Sequence, residues 1–221
     1  MNREVIGRGT WIDKIASTII SREKDIGRSL ESILVESGLG ASGFPHIGSL
    51  GDAVRAYGVS LAIKNLGYDS KLIAYSDDLD GLRKIPTGLP EWLRDYIGKP
   101  VANIPDPVGD CHNSYGDHMS SQLLDALDRL EINYEFLNAA KVYGSGMLTQ
   151  QIHIILSNAI KLGNKIEEFV GQSKYKETLP YFPICESCGR LYVAHAVKYI
   201  KEERKISYIC DGTKLRNNDI K

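Results

Sequence analysis

Two groups of cysteine, histidine and aspartate residues have the spacing of metal ligands. The first lies in the stretch DPVGDCHNSYGDH and consists of Asp106, Cys111, His112 and His118. Oxygen, sulfur and nitrogen donors in one irregular loop suit zinc, and the alternative is a helix-capping loop with surface histidines. Asp110 also precedes the cysteine, and we expect Asp106 to be the ligand. Such a site would be structural, because it orders a long loop that is costly to order otherwise.

The second group follows near the end of the sequence. The motif CESCG supplies Cys185 and Cys188, and YICDG supplies Cys210. Two thiolates at a tight turn and a third on the next strand suit tetrahedral zinc, whereas free buried thiols are the alternative. The fourth ligand is not evident. His195 is one candidate, although half-burial in a strand explains it equally well.

A glycine-rich turn, VESGLGASGFPHIGSLGDAVRAYG, separates an apolar run from a helical pattern. Its glycines expose backbone N–H groups, and a helix N-terminus favours phosphate. His46 at the helix entrance and Ser49 one turn later can add hydrogen bonds. The alternative is a flexible turn with a surface histidine. The segment does not match a P-loop or a G-x-G-x-x-G motif, so spacing alone is a weak indication of nucleotide binding.

Three aspartates, Asp77, Asp78 and Asp80, follow the second apolar run in YSDDLDGLRK. Each can cap the next element, which is the structural alternative. One carboxylate can instead pair with a substrate ammonium group, since charge-assisted pairs carry selectivity. We expect Asp77 to play that role.

The apolar pattern alternates between strand and helix. Strands are predicted at SILVES, KLIAYS and NYEFLNA, and helices at 10–25, 49–66, 114–130 and 148–162. This alternation favours an α/β fold with half of a doubly wound, Rossmann-like parallel sheet. Residues 80–113 form a long connection of the kind that is usually functional. We place a boundary near Leu179, between a Rossmann-like domain (1–178) and a small zinc-ribbon-like segment (179–221).

Composition is that of an ordinary globular protein of 221 residues with net charge −1. An RNA partner would therefore need a locally positive surface or a part of the protein outside this sequence. No apolar stretch approaches ~20 residues, and the amino terminus lacks a secretory signal, so we expect no membrane partner. A C-x-x-C pair among four cysteines favours metal binding in a reducing compartment, which indicates the cytoplasm.

Four sequence blocks resemble one family. PHIGSL resembles the HIGH signature of class I aminoacyl-tRNA synthetases, and the fuller glycine-rich string resembles the class I lysyl-tRNA synthetases. The resemblance continues in order through YSDDLDGLRKIPTGLP, IGKPVANIPDPVGDCHNSYGDH and PYFPICESCGRLY, and it covers roughly residues 10 to 210. HIGS alone would be a weak signal, whereas four ordered blocks are a strong one.

The resemblance implies a lysine–tRNA ligase that activates lysine with ATP to lysyl-adenylate and transfers it to tRNA(Lys). In the family this loop stabilises charge on the ATP phosphates. Mg²⁺ would accompany ATP, and Zn²⁺ would occupy two sites, the second without an evident fourth ligand. His46 carries over directly, and Ser49 stands at the second histidine of HIGH. The implied catalytic residues are His46 and Ser49; ATP would contact Ser42, Gly43, His46, Gly48 and Ser49; lysine would contact Gly38, Gly40 and Asp77.

A complete synthetase of this class also needs a KMSKS-type loop and an anticodon-binding domain. We find neither of them in these 221 residues. We therefore expect the N-terminal part of a longer enzyme, with little aminoacylation activity by itself. The alternative is a non-catalytic module, derived from the synthetase, that binds nucleotide or tRNA. Another HIGH-type nucleotidyl transferase fits less well, because the zinc-like loops resemble the lysyl enzymes.

Overall fold

The computed structural model describes residues 9–176 and 178–212. Its centre is a three-stranded parallel sheet of order β1-β2-β3, formed by β1 (Ile33–Leu39), β2 (Ser70–Ser76) and β3 (Glu135–Asn138). Helix α1 (Trp11–Asp25) precedes β1, α2 (Ile47–Asn65) joins β1 to β2, and α3 (Tyr115–Arg129) lies between β2 and β3. The predicted α/β fold with parallel strands is confirmed.

Helices α1, α2 and α3 pack on the same face of β1, which is the strand whose side chains alternate between buried and more exposed positions. The main core joins β1, β2, α2 and α3 through Leu39, Ala53, Leu72, Ala74, Leu123 and Leu127. On the opposite face of β1, Leu34 is 62% exposed, and Glu36 and Gly38 are also exposed. The described helices thus cover one face of β1, as expected for half of a doubly wound sheet.

The long connection between β2 and α3 has a hydrophobic core of its own. It contains two short 3₁₀ helices, Glu91–Tyr96 and Val101–Asn103. Its fully buried side chains pack against the glycine-rich turn and against α3 in a cluster of Ala41, Leu82, Leu93, Val101, Ile104, Tyr115 and Met119. This segment is therefore a packed support for the carboxyl edge of the sheet.

The single helix predicted at 148–162 is wrong. The structure has α4 (Ala139–Gly144), α5 (Thr149–Ser157) and α6 (Ala159–Val170), with a break at Asn158. The Asn158 side chain donates a hydrogen bond to the Ile154 carbonyl (2.8 Å), and such local bonding by asparagine competes with regular helix. Helix α4 was not predicted, and the Asn138 side chain caps it by accepting from Lys141 N.

The C-terminal segment contains an antiparallel hairpin of β4 (Ala194–Ile200) and β5 (Lys205–Cys210), so the predicted β-rich region is present. It is attached to the long connection. Leu191 N donates to the Gly98 carbonyl (2.9 Å), and the Arg190 guanidinium donates to the Ile97 and Asp95 carbonyls. The boundary near Leu179 stays a prediction. In the described part of the chain, no helix has both the length and the apolar character needed to cross a bilayer.

Candidate functional site

The glycine-rich turn lies at the carboxyl edge of the parallel sheet, where open α/β sheets bind ligands. It leaves β1 at Leu39 and enters α2 at Ile47. Ala41 is buried in the core of the long connection, and the Tyr115 hydroxyl donates to the Ser42 carbonyl at 2.9 Å. Ser42, by contrast, is exposed. Buried contacts therefore hold one side of the turn, and its other side is exposed to solvent.

His46 is the N-cap of α2. Its Nδ1 accepts a hydrogen bond from Gly48 N at 3.0 Å, so a neutral ring carries its proton on Nε2. That atom has no protein partner among the described residues, and the side chain is exposed. A Cβ at Gly48 would lie 2.8 Å from His46 Cε1, which only glycine avoids. Ser49 is half-buried in the same first turn, which carries no acidic residue.

Gly38 and Asp77 meet at the ends of β1 and β2. A Cβ at Gly38 would lie 3.4 Å from Asp77 Oδ2, whereas one at Gly40 would meet no atom within 4 Å. Burial, and then the charges of Asp80, Glu36 and Asp78, raise the pKa of Asp77. This carboxyl edge is therefore a region of closely spaced carboxylates.

Asp78 has a different role from Asp77. It is 2% exposed, and its Oδ1 accepts from Ala140 N at 2.8 Å in the first turn of α4. Its carbonyl accepts from Ala102 N, also at 2.8 Å. Asp78 thus joins β2 to α4 and to the long connection, so the capping alternative applies to this aspartate.

The four side chains of the first predicted metal group converge, and we call them the Asp-Cys-His-His cluster. Their ligand atoms all lie within 4.8 Å of one another. Asp106 Oδ2 is 3.1 Å from His118 Nδ1 and 3.6 Å from His112 Nδ1, and Cys111 Sγ is 3.3 Å from Asp106 Oδ2. Ligand atoms around tetrahedral zinc are separated by roughly 3.3–3.8 Å, given bonds of about 2.0–2.3 Å. The donor set and its spacing therefore fit zinc.

Hydrogen bonds hold the Asp106 carboxylate in its charged form. Burial by itself would raise its pKa, but donors from Val108 N, Cys111, His118 and His112 N outweigh burial and lower it below its usual range. Asp110 lies outside the cluster in a left-handed conformation (φ 28°). A cavity of about 520 Å³ adjoins the cluster and is lined in part by Cys111, His112, Asp117 and Lys141.

The three cysteines of the second group also converge, and we call them the three-cysteine cluster. Their sulfur atoms lie within 4.8 Å of one another. Backbone N–H groups of Cys188 and Ser187 lower the pKa of Cys185 to about 7, which favours a thiolate ligand. His195 is not part of this cluster. It pairs with Ile209 across the hairpin, and its Nε2 is 3.2 Å from Asp211 Oδ2.

The comparisons with known proteins agree with this geometry. A family model described as tRNA synthetases class I (K) matches residues 9–220. The chain belongs to the class I lysyl-tRNA synthetase family. It is 57% identical over 217 residues to a lysine–tRNA ligase of Cenarchaeum symbiosum, an alignment that covers 98% of this chain and 41% of that protein.

More distant members of the lysyl-tRNA synthetase family match nearly the same region. Lysine–tRNA ligase 1 of Methanosarcina acetivorans is 32% identical, over 90% of this chain and 36% of that protein. A lysine–tRNA ligase of Archaeoglobus fulgidus is 31% identical, over 91% of this chain and 39% of that protein. The chain therefore spans about two fifths of the length of these curated relatives.

Two contacts of this synthetase chain were missed by the sequence predictions. The Tyr115 hydroxyl supports the glycine-rich turn, and Tyr192 OH lies 3.2 Å from Gly81 N, which anchors the start of the long connection. Both join residues far apart in sequence. The available signal for Tyr115 is its position directly after Ser114, where the predicted helix begins, and that position indicates no partner.

Proposed function

We propose that this chain supplies the ATP- and lysine-binding edge of a lysine–tRNA ligase. One observation carries the proposal: Gly48 N occupies Nδ1 of His46, which leaves Nε2–H as the remaining donor of an exposed ring, beside a turn in which Gly40 and Ser42 are exposed. A neutral imidazole donor and a helix N-terminus free of acidic residues together suit the phosphates of ATP.

In the proposed reaction the lysine carboxylate attacks the α-phosphate of ATP. A bond forms between a carboxylate oxygen and the α-phosphorus, the bond to the bridging oxygen of the β-phosphate breaks, and pyrophosphate leaves. Negative charge develops on the α-phosphate oxygens, where His46 Nε2–H and the N–H groups of α2 can donate. We assign Ser49, Ser42, Gly43 and Gly48 to ATP contact. Mg²⁺ bound to ATP would supply further positive charge.

The negative region at the ends of β1 and β2 supports lysine as the amino acid. Glu36, Asp77 and Asp80 are exposed there and form no ion pair among the described residues. Arg83 is a neighbouring cation, and its pKa is raised chiefly by its hydrogen bond with Tyr192 and also by the charge of Asp80. We propose that Asp77 pairs with a lysine ammonium group and that the Gly38 and Gly40 backbone lets the substrate approach. Ammonium binding would replace like-charge repulsion with an ion pair.

We propose zinc at both clusters. The Asp-Cys-His-His cluster offers four donors, so zinc there would fix the loop from Asp106 to the first turn of α3. The three-cysteine cluster offers three donors from the described residues, and a fourth would complete it. Each ion would order the segments that pack against the long connection, which in turn supports the glycine-rich turn.

Calorimetry with a non-hydrolysable lysyl-adenylate analogue tests the proposal. His46→Ala should weaken binding roughly 10- to 150-fold, because a hydrogen bond to a charged group contributes about 1.5–3 kcal/mol. His195→Ala is the matched control, since it removes an imidazole that lies on the β4–β5 hairpin, opposite Ile209 and beside Asp211. Equal affinity of the His46→Ala protein and the unchanged protein would exclude the assigned role.

Lysine-dependent exchange of pyrophosphate into ATP separates an enzyme from a binding module. We propose tRNA(Lys) as the acceptor and the cytoplasm as the compartment, on the basis of the family and of four free cysteines. The chain should bind the adenylate analogue and exchange pyrophosphate slowly, because no KMSKS-type loop is present in its sequence. Rapid exchange would show that this loop is dispensable.

A further inference from the structure

A groove lies between helix α6 and strand β4, far from the glycine-rich turn in sequence. Its cavity of about 700 Å³ is lined by residues of the α5–α6 junction, the exposed face of α6 and the outer edge of β4. The apolar floor includes Leu156, Ile160 and Val197, and polar side chains surround it. An apolar floor with a polar rim fits a ligand that has both apolar and charged parts.

The rim of this groove is positively charged. It carries three lysines, Lys161, Lys165 and Lys198, and one acidic residue, Glu168, which is paired with Lys165 at 2.7 Å. Lys161 and Lys198 are exposed and form no ion pair within the described ranges. Ser157 also lines the groove, and its hydroxyl is buried without a hydrogen-bond partner among the described residues. In a chain of net charge −1, this concentration of free cations favours an anionic ligand.

Exposed aromatic rings alternate with lysines on the same helix and its neighbour. Lys165 Nζ lies 5.5 Å from the centre of the Phe169 ring, and Phe169 is 77% exposed. Lys174 Nζ lies 5.6 Å from the centre of the Tyr175 ring and 5.4 Å from the centre of the Phe182 ring, and Phe182 is 57% exposed.

The 174–176 turn is packed tightly on α6, which makes the lysines and aromatic rings one surface. A Cβ at Gly163 of α6 would overlap the carbonyl oxygen of Tyr175, so glycine permits this close contact. Lys176 of the same turn also pairs with Glu167 of α6 at 2.7 Å. The lysine–aromatic surface thus extends from the groove along α6 to Phe182.

We propose that this surface binds single-stranded RNA. Phosphates would lie against Lys161 and Lys198, and bases would stack on Phe169 and Phe182. Unpaired bases present the ring faces that exposed aromatic side chains bind, whereas bases inside a duplex do not. A purely apolar protein partner would leave the two lysines desolvated without a counter-charge. The choice of RNA over DNA rests on the proposed function, whereas the evidence for an anion-binding groove is independent of that function.

The test is fluorescence anisotropy of the full 221-residue chain with a labelled single-stranded RNA of about twelve nucleotides. Lys161→Ala with Lys198→Ala should weaken binding roughly 3- to 30-fold. The slope of log K against log salt should fall by about 1.4, which is about 0.7 for each lost phosphate contact on a single strand. Phe169→Ala should weaken binding roughly 5- to 150-fold through lost stacking, with the salt slope unchanged.

Matched controls make the result specific to the groove. Lys14→Ala with Lys64→Ala removes the same charge from exposed positions on α1 and α2, and it should leave the salt slope unchanged. An equal loss in both double variants would indicate general electrostatic attraction and overturn the proposal. A duplex RNA of the same length that binds as tightly as the single strand would also overturn it.

Competition experiments and light scattering test whether the groove binds a free anion or a protein instead of RNA. Displacement of the RNA by inorganic phosphate, at a concentration equal to that of the phosphate groups in the RNA, would identify a free-anion site instead. A Phe169→Ala protein that loses self-association but keeps RNA affinity would identify a protein contact. Binding of the adenylate analogue without RNA binding refutes this inference alone, and RNA binding without analogue binding refutes the proposed function alone.

Discussion

Replacing Tyr115 by phenylalanine removes one hydrogen bond between α3 and the glycine-rich turn. The ring is fully buried in the core of the long connection, and phenylalanine keeps that packing. The lost bond is the 2.9 Å donation from the hydroxyl to the Ser42 carbonyl. Burial raises the pKa of Tyr115 to about 12, so the neutral hydroxyl is the donor throughout the ordinary pH range.

The magnitude follows from the surroundings of the acceptor. A neutral hydrogen bond contributes about 0.5–1.5 kcal/mol, and Ser42 is exposed enough for water to replace the donor, so we expect a loss of about 1 kcal/mol. That loss should lower the melting temperature by roughly 2–4 °C in a chain of this size. It should also shift the equilibrium between the ordered and displaced turn by about fivefold, which limits the loss of adenylate-analogue affinity to about fivefold.

Differential scanning calorimetry and analogue titration measure the two effects separately. Tyr134→Phe is the control, because it removes a hydroxyl that donates to Asp128 at 2.9 Å, away from the turn. We expect the control to lose stability but no analogue affinity. If Tyr115→Phe behaves in the same way as Tyr134→Phe, the hydroxyl stabilises the fold without positioning the turn, and our reasoning about the supporting contact is wrong.

Three further predictions, which use four substitutions, test other parts of the site. Gly48→Ala should displace the His46 ring and reduce analogue affinity as strongly as His46→Ala, which calorimetry can compare directly. His118→Ala should lower the zinc content of the purified chain by one equivalent, measured by atomic emission, through loss of zinc from the Asp-Cys-His-His cluster. Cys188→Ser should also lower it by one equivalent, through loss of zinc from the three-cysteine cluster. Loss of zinc from both clusters in either variant would contradict two independent sites. Because the pKa of Asp77 is raised and an ammonium binds the ionised form, lysine affinity should increase as pH rises through that pKa. Asp77→Asn should abolish this increase, and a flat profile in the unchanged chain would refute it.

Local signals predicted the parts of the fold that depend on neighbouring residues. Ser114 was expected at the start of a helix, and its hydroxyl accepts from Asp117 N in the first turn of α3. The Asp-Cys-His-His cluster could be proposed because all four ligands occupy one short stretch. Likewise, the glycine-rich turn was found because strand, turn and helix follow one another directly.

Features that depend on distant residues could not be predicted in this way. The helical apolar pattern continues through Asn158, so periodicity gave no sign of the break between α5 and α6. The core of the long connection joins Ala41, Leu82 and Tyr115, which are far apart in the chain. The net charge of the chain likewise did not indicate the groove, because the unpaired lysines on that surface are balanced by acidic residues elsewhere in the sequence.

The first turn of α3 connects the glycine-rich turn with the Asp-Cys-His-His cluster. Tyr115 contacts the glycine-rich turn, and His118, three residues later on the same helix, belongs to the Asp-Cys-His-His cluster. A helical turn is short and internally hydrogen-bonded, so a metal that fixes His118 would also fix the Tyr115 hydroxyl. Tyr115 N additionally donates to the Ile104 carbonyl at 2.8 Å, which joins this turn to the residues before Asp106. A zinc ion at the cluster would therefore act on the proposed nucleotide binding through the position of α3, without contact with the nucleotide.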